Sequence, residues 1–250
     1  NDEKVNEIDG TLETAAQEAA ACGGMFTNVT YPFERSYLFT DFGTGCRKQT
    51  TSPYYFTGFP TSTTATGVSK VFLKVWKTED RSFDVVESER LHHKRAFDAG
   101  VPVALPVLDE IVRSKSSCGA EHFVFVAEYL EEDSVERPMD VLRYSVSLME
   151  TVLRLHNEVG MIHCGLKTDN VRWNKGVIKL IDFEMAQNIG NATWMPGPPD
   201  FTAPEILKKL PCSTKTDAFS VGTTILTKLE TVRDKSLNDT ISSICNALHD

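Results

Sequence analysis

The sequence predicts a two-lobed α+β chain, rich in strands in its first half and helical in its second. Three observations predict it. The runs 71–76 and 123–130 have the composition of buried strands. Past residue 140 the apolar period becomes helical, with Leu148, Val152, Leu155 and Val159 spaced by four, three and four. A length of 250 residues with 41% apolar content suits one soluble domain with two lobes. The expected organisation is a helical extension over 1–24, a β-rich lobe over 25–130 and a helical lobe over 131–250.

In the extension, Leu12, Ala15, Ala16 and Ala19 fall at helical spacing before a stop at Gly23-Gly24. From Tyr31 to Trp76 the chain is dense in Thr, Ser, Phe, Tyr and Gly, as strands and turns are, and 61–67 reads as a hairpin connection. Lys74 interrupts its apolar strand on the face shared by Phe72 and Trp76. A buried ammonium costs several kcal/mol unless paired, so Lys74 needs a partner or a way out to solvent. The charged helix expected over 83–97 offers Glu87 and Glu89, either of which can pair it. Gly160 stops the long helix, 177–181 is a short strand delivering Asp182, and a second apolar helix is expected over 217–229.

The net charge of −9 argues against nucleic acid or an anionic membrane as the main partner. No window is apolar for long enough to span a membrane. Six scattered cysteines without a C-x-x-C pair are compatible with disulfides, and with sequons at Asn28, Asn191 and Asn238 they point toward a secreted protein.

Five stretches stand in a telling order. Val71-Phe72-Leu73-Lys74 resembles the V-A-I-K strand of protein kinases, and His163 to Asn170 resembles H-R-D-L-K-P-x-N. Asp182-Phe183-Glu184 stands where D-F-G would be, Ala203-Pro204-Glu205 matches A-P-E, and Asp217 to Gly222 resembles D-x-W-x-x-G. The resemblance to the protein-kinase superfamily runs from about residue 31 to about 230. The last two stretches favour the protein-kinase branch over small-molecule kinases. A bilobal kinase-like fold is implied, with a C-lobe expected to be reduced because only residues 223–250 follow Gly222.

The resemblance implies a site. Lys74 would neutralise nucleotide phosphates, with Glu87 as its expected helix partner because Leu91 follows one turn later. Asp182 and Asn170 would hold Mg²⁺, and Lys167 would lie near the γ-phosphate. The departures are as specific. Gly165 replaces the catalytic aspartate, Cys164 replaces the neighbouring arginine, and Glu184 replaces the D-F-G glycine. The glycine-rich loop is eroded to Asp41-Phe42-Gly43-Thr44-Gly45-Cys46-Arg47-Lys48. No arginine partner for Glu205 can be identified.

These departures lead to the expectation of no enzyme activity: a pseudokinase serving as a protein-binding or allosteric module. The alternative is a residual, low-activity Ser/Thr protein kinase using ATP and Mg²⁺. Nucleotide binding stays open, favoured by the retained Lys74, Lys167, Asn170 and Asp182 and opposed by Glu184 and the eroded loop. In overall character the chain is similar to the secreted rhoptry-type kinases and pseudokinases of apicomplexan parasites, the bradyzoite pseudokinase among them. That resemblance implies export through the secretory pathway to a vacuole or cyst compartment, protein partners, and a disulfide for which Cys212 with Cys245 is the pair to test.

Overall fold

The computed structural model describes residues 29–31, 35–42, 53–60, 67–115, 121–232, 239 and 242–247. The helix expected over 1–24 and the glycine-bearing stretch at 43–48 lie outside them. The described residues form two compact units: one runs to Arg90 and takes in 105–129, the other holds 91–104 and the chain from Leu130 onward.

The first unit is an antiparallel sheet of β1 (Val29–Tyr31), β2 (Arg35–Phe42), β3 (Tyr54–Pro60), β4 (Val71–Lys77), β5 (Val112–Lys115) and β6 (Glu121–Glu128), in the order β1-β2-β3-β4-β6-β5. The pairing of β3 with β4 across 61–70 is that of a hairpin. β4 is an inner strand, pairing Lys74 with Tyr55 on one side and Phe125 on the other. Strand alternation sends Val71, Leu73 and Val75 into a core with Val107, Leu108, Val124 and Val126. Fully buried, each of the three contributes roughly 1.5–3 kcal/mol. The opposite face carries Phe72, Lys74 and Trp76, with Phe72 stacked on Tyr55 at 5.8 Å between ring centroids.

Helix α1 (Phe83–Asp98) begins in this unit. It buries Val86, Glu89, Arg90, His93 and Ala96, a stripe at steps of three and four that marks its inner face.

The second unit is organised by α2 (Pro138–Arg154), which runs on through a π-helical turn over Leu155–Val159. Pro138 sits in the first turn, where its missing N–H costs nothing. Gly160, at φ +68°, ends the run in the left-handed cap expected of it. Short strands follow: β7 (Met161–Ile162), β8 (Val171–Asn174), β9 (Val177–Leu180) and β10 (Gln187–Asn188). The β8–β9 hairpin turns on Lys175 and Gly176, both at positive φ, as a primed two-residue turn requires. After α3 (Pro204–Leu207) comes α4 (Thr214–Glu230), which starts a turn earlier than its apolar period indicates. Ser213 is the reason: its hydroxyl accepts from the Lys215 N–H at 3.2 Å and caps the helix. The core gathers Leu148, Val152, Leu155, Val171, Ile178, Leu180, Phe183, Val221, Ile225 and Leu229. Among the described residues, no helix is long and apolar enough to cross a membrane.

Candidate functional site

Lys74 is 2% exposed, in the middle of the first unit's sheet. Its ammonium donates to both carboxylate oxygens of Glu89, at 2.9 and 3.1 Å, and lies 5.1 Å from the Trp76 ring. The side chains of the pair are 3% and 4% exposed. Taking two charges out of water costs several kcal/mol per ion and is recovered only through close pairing of this kind. The expected partner, Glu87, is corrected by the geometry. It faces outward and holds Arg90 one turn along, at 2.5 and 2.8 Å, raising the pKa of that guanidinium. Glu89 lies three residues after Val86 and four before His93, on the buried stripe of α1. Leu91, whose position favoured Glu87, is 46% exposed and marks the solvent face.

The loop from His163 to Asn170 belongs to the second unit, and Asp217 on the first turn of α4 holds it. The fully buried carboxylate accepts from the backbone N–H groups of His163 at 2.8 Å and Cys164 at 2.9 Å, and lies 2.8 Å from His156 Nε2. Three short contacts to one carboxylate fix where the loop starts. The sequence places Asp217 in a motif, and its work as the loop's anchor is visible only in the fold.

His163 packs its ring 4.9 Å from that of Phe183, which also meets the His93 ring at 5.2 Å. His163 Nε2 donates to the Ile181 carbonyl at 3.2 Å, and its Nδ1 is buried without a partner. Burial pulls the imidazole pKa down, against the opposing pull of Asp217 and Asp182. Cys164 adopts φ +58°, whereas Gly165 lies outside the left-handed region. A Cβ placed on Gly165 would meet Met185 Sδ at 3.3 Å, Met185 Cβ at 3.4 Å and His163 Nδ1 at 3.6 Å. Glycine at 165 therefore answers no demand of the backbone.

Asn170 is buried and donates from Nδ2 to the Gly165 carbonyl at 2.9 Å, closing the loop on itself. Its side-chain oxygen remains for a cation. Asp182, half-buried at φ +64°, follows β9. Lys167 lies partly exposed, 3.6 Å from the exposed carboxylate of Asp169. Lys74 and Glu89 thus stand in the first unit, and Gly165, Lys167, Asn170 and Asp182 in the second.

Beyond Asp182 the chain is pinned at several points. Gln187 Oε1 accepts from the Thr193 N–H at 2.7 Å, and Trp194 Nε1 donates to the Ile206 carbonyl at 2.9 Å. Glu205 of the Ala-Pro-Glu stretch accepts from Thr216 Oγ1 at 2.7 Å, so a threonine serves it where the sequence offered no arginine.

The pairing of Cys212 with Cys245 is not present. Both are free thiols, Cys212 in a small cluster with Ile162, Cys164, Ala203 and Ile206, and Cys245 in the main core of the unit. Burial pushes the Cys245 thiol up to about 11. Cys22, Cys46 and Cys118 lie outside the described residues.

A family model described as "Protein kinase domain" matches residues 107–246, more than half of the chain. The chain belongs to the protein kinase domain family. Its α+β, bilobal fold is that of the family. It is 27% identical over 183 residues, 67% of the chain, to a "Titin homolog" of Caenorhabditis elegans, covering 1% of that protein. It is 28% identical over 130 residues, 48% of the chain, to the smooth-muscle myosin light chain kinase of Gallus gallus, covering 7% of it. It is 36% identical over 94 residues, 36% of the chain, to cell division control protein 7 of Schizosaccharomyces pombe, covering 9% of it. The chain spans less than a tenth of each of these relatives. The expectation that it is not an enzyme is corrected by these findings: the domain matched is a kinase domain, and one relative is named as a kinase. The substitution at Gly165 alone does not outweigh that membership.

The residues present fit the family's cofactors, ATP and Mg²⁺. Lys74 is a desolvated cation fixed by Glu89, suited to phosphate oxygens. The Asp182 carboxylate and the Asn170 amide oxygen are hard oxygen donors of the kind Mg²⁺ selects.

Proposed function

We propose that this kinase domain is a Ser/Thr protein kinase of low intrinsic rate that uses ATP with Mg²⁺. The observation that carries the proposal is the buried Lys74–Glu89 pair. A hydrophobic pair of similar volume would suit the sheet as well or better, so keeping two charges there fits a cation held for phosphate. When bound, ATP with Mg²⁺ supplies the transferable phosphoryl group and the counter-charge for it. Lys74 would orient and neutralise phosphate oxygens, Asn170 would offer an oxygen ligand from the loop that Asp217 holds in place, and Asp182 would offer another from the chain after β9. With Gly165 in the loop, no carboxylate receives the acceptor hydroxyl's proton, which leaves to water. General-base help is worth roughly 10²–10⁴-fold, so transfer is slow and still above background. Asp169 does not substitute for it: its side chain is 77% exposed and faces Lys167.

The test is transfer of radiolabelled γ-phosphate from ATP–Mg²⁺ onto a pool of Ser- and Thr-containing peptides. A slow signal that disappears in Lys74→Met and Asp182→Ala is expected. Background-level transfer, or equal transfer by both variants, refutes the proposal.

The rhoptry-type character read from the sequence, with passage through the secretory pathway and protein partners, forms part of this reading. The sequon at the exposed Asn191 supports it. A glycan at Asn191, removed by an endoglycosidase with a matching mass loss, is expected after expression in a eukaryotic secretory host; an unmodified Asn191 counts against it.

A further inference from the structure

Helix α2 carries two apolar stripes where a surface helix needs one. Val141, Leu148, Val152 and Leu155 are buried in the core of the second unit. The second stripe faces outward: Met139, Leu142, Val146, Met149 and Leu153, at steps of three, four, three and four. Four of these are between 37% and 56% exposed, and Met149 is half-buried. A repeat of 3.5 residues is the pattern by which one helix takes another along its length. Exposed apolar residues scattered singly carry no such order.

The surface around this stripe is its own complement. At the C-terminal end, Met149, Val152, Leu153 and His156 of α2 join Ala218 and Val221 of α4 around an open apolar cavity of about 310 Å³. At the N-terminal end stands the exposed Met139, an unbranched side chain of the kind that fills irregular gaps. On one flank, Arg143 and Glu150 are exposed, seven residues apart and of opposite sign. Each follows a stripe residue by one position, so the two lie on the same side. A projecting side chain, a cavity to receive it and a pair of opposite charges are thus disposed evenly about the middle of the helix. Such a surface fits a copy of itself turned end to end.

We propose that the outer face of α2 is a self-association surface, on which two copies of this chain pair their α2 helices antiparallel about a twofold axis. In that pairing Leu142 packs on the partner's Leu153 and Val146 on the partner's Met149. Met139 enters the partner's cavity, and Arg143 meets the partner's Glu150. The twofold axis makes each of these contacts twice. Charge selects the occupant: antiparallel self-pairing sets arginine against glutamate at both ends of the seam. From Met139 to Leu153 the seam runs about 21 Å at the helical rise. That is short for a permanent complex, so the dimer is expected to form in the micromolar range.

The test is sedimentation velocity of the whole chain from about 1 to 200 μM, a range that brackets micromolar association. Reductant is present, so that cysteines cannot link copies. A concentration-dependent passage from monomer to dimer is expected. Arg143→Glu and Glu150→Arg each set like charges together at both ends, and each is expected to weaken association roughly tenfold or more. The double variant Arg143→Glu/Glu150→Arg exchanges the charges, remakes both contacts and is expected to dimerise as the wild type does. Leu153→Ser, at an exposed position, is expected to abolish the dimer while moving Tm by about 2 °C or less. A chain that stays monomeric throughout the range overturns the proposal and assigns the stripe to another segment or partner. A dimer left intact by Arg143→Glu and Leu153→Ser overturns it too, as does a double variant as weak as the single ones. No activity measurement enters, so the outcome is independent of the proposed kinase function.

Discussion

Replacing Glu89 by glutamine leaves the Lys74 ammonium in the sheet with its carboxylate gone. Lys74 has 2% of its surface exposed, so water cannot take the carboxylate's place without opening the strand. Removing one partner of a buried ion pair costs about 3–5 kcal/mol. For a chain of this size each kcal/mol lowers Tm by about 2–4 °C, which makes the expected loss roughly 6–20 °C. Glu87→Gln is the matched control on the same helix. Its pair with Arg90 is more open, at 26% for the glutamate and 10% for the arginine, and such a pair is worth about 1 kcal/mol or less. The loss there is expected to be about 4 °C or less. The assay is thermal unfolding by circular dichroism, with Lys74→Met/Glu89→Leu as the double variant expected to recover most of the Glu89→Gln loss. Equal losses at 87 and 89, or a double variant less stable than Glu89→Gln, would refute the reasoning that places the buried pair at Glu89.

Gly165→Asp returns a carboxylate to the loop, and the phosphotransfer rate at saturating ATP–Mg²⁺ is expected to rise roughly 10²–10⁴-fold. The new Cβ meets Met185, a flexible side chain that yields by rotation, so Gly165→Asp/Met185→Ala is expected to gain at least as much; an unchanged rate in both would show that the missing base is not what limits transfer. His163 and His92 have folded pKa values drawn below the ordinary 6.5, each chiefly by burial. Between those values and 6.5 the unfolded chain binds more protons, so stability is complete above pH 6.5 and drains as pH falls below it. Urea midpoints are expected to fall from pH 7.5 to pH 5.5, and to fall less in His163→Gln, which carries no titrating ring there. A variant with the wild-type slope would contradict that account.

Much of this fold is legible from residue order alone. The run 71–76 announces β4 because alternation and apolar composition agree, and Gly160 announces the end of the long helix because a left-handed cap favours glycine. Ser213 could have set the start of α4 one turn earlier, had its capping been weighed against the apolar period. The Lys74 partner differs from the expected one for a geometric reason. Residues 87 and 89 are two apart on a helix and point in nearly opposite directions, and Leu91, one turn after Glu87, is 46% exposed. Counting back from Ala96 through His93 would have selected Glu89. The anchoring of the loop by Asp217 joins residues 53 and 54 positions apart, a distance over which local pattern carries no information. The same holds for Glu205 and Thr216, where the hydroxyl partner is a residue type no pattern would single out.

Gly165 has a consequence at the level of the gene. Because the residue does not occupy the left-handed region, the strained conformation beside it being borne by Cys164 instead, the backbone at 165 accepts an ordinary L-residue. Two of the four glycine codons, GGT and GGC, become aspartate codons by a single G-to-A transition. Where either is used, the proposed slow kinase stands one point mutation from a loop that carries the aspartate. Under the proposed function, restraint on turnover is a heritable setting, reversible by drift or selection without rebuilding the loop.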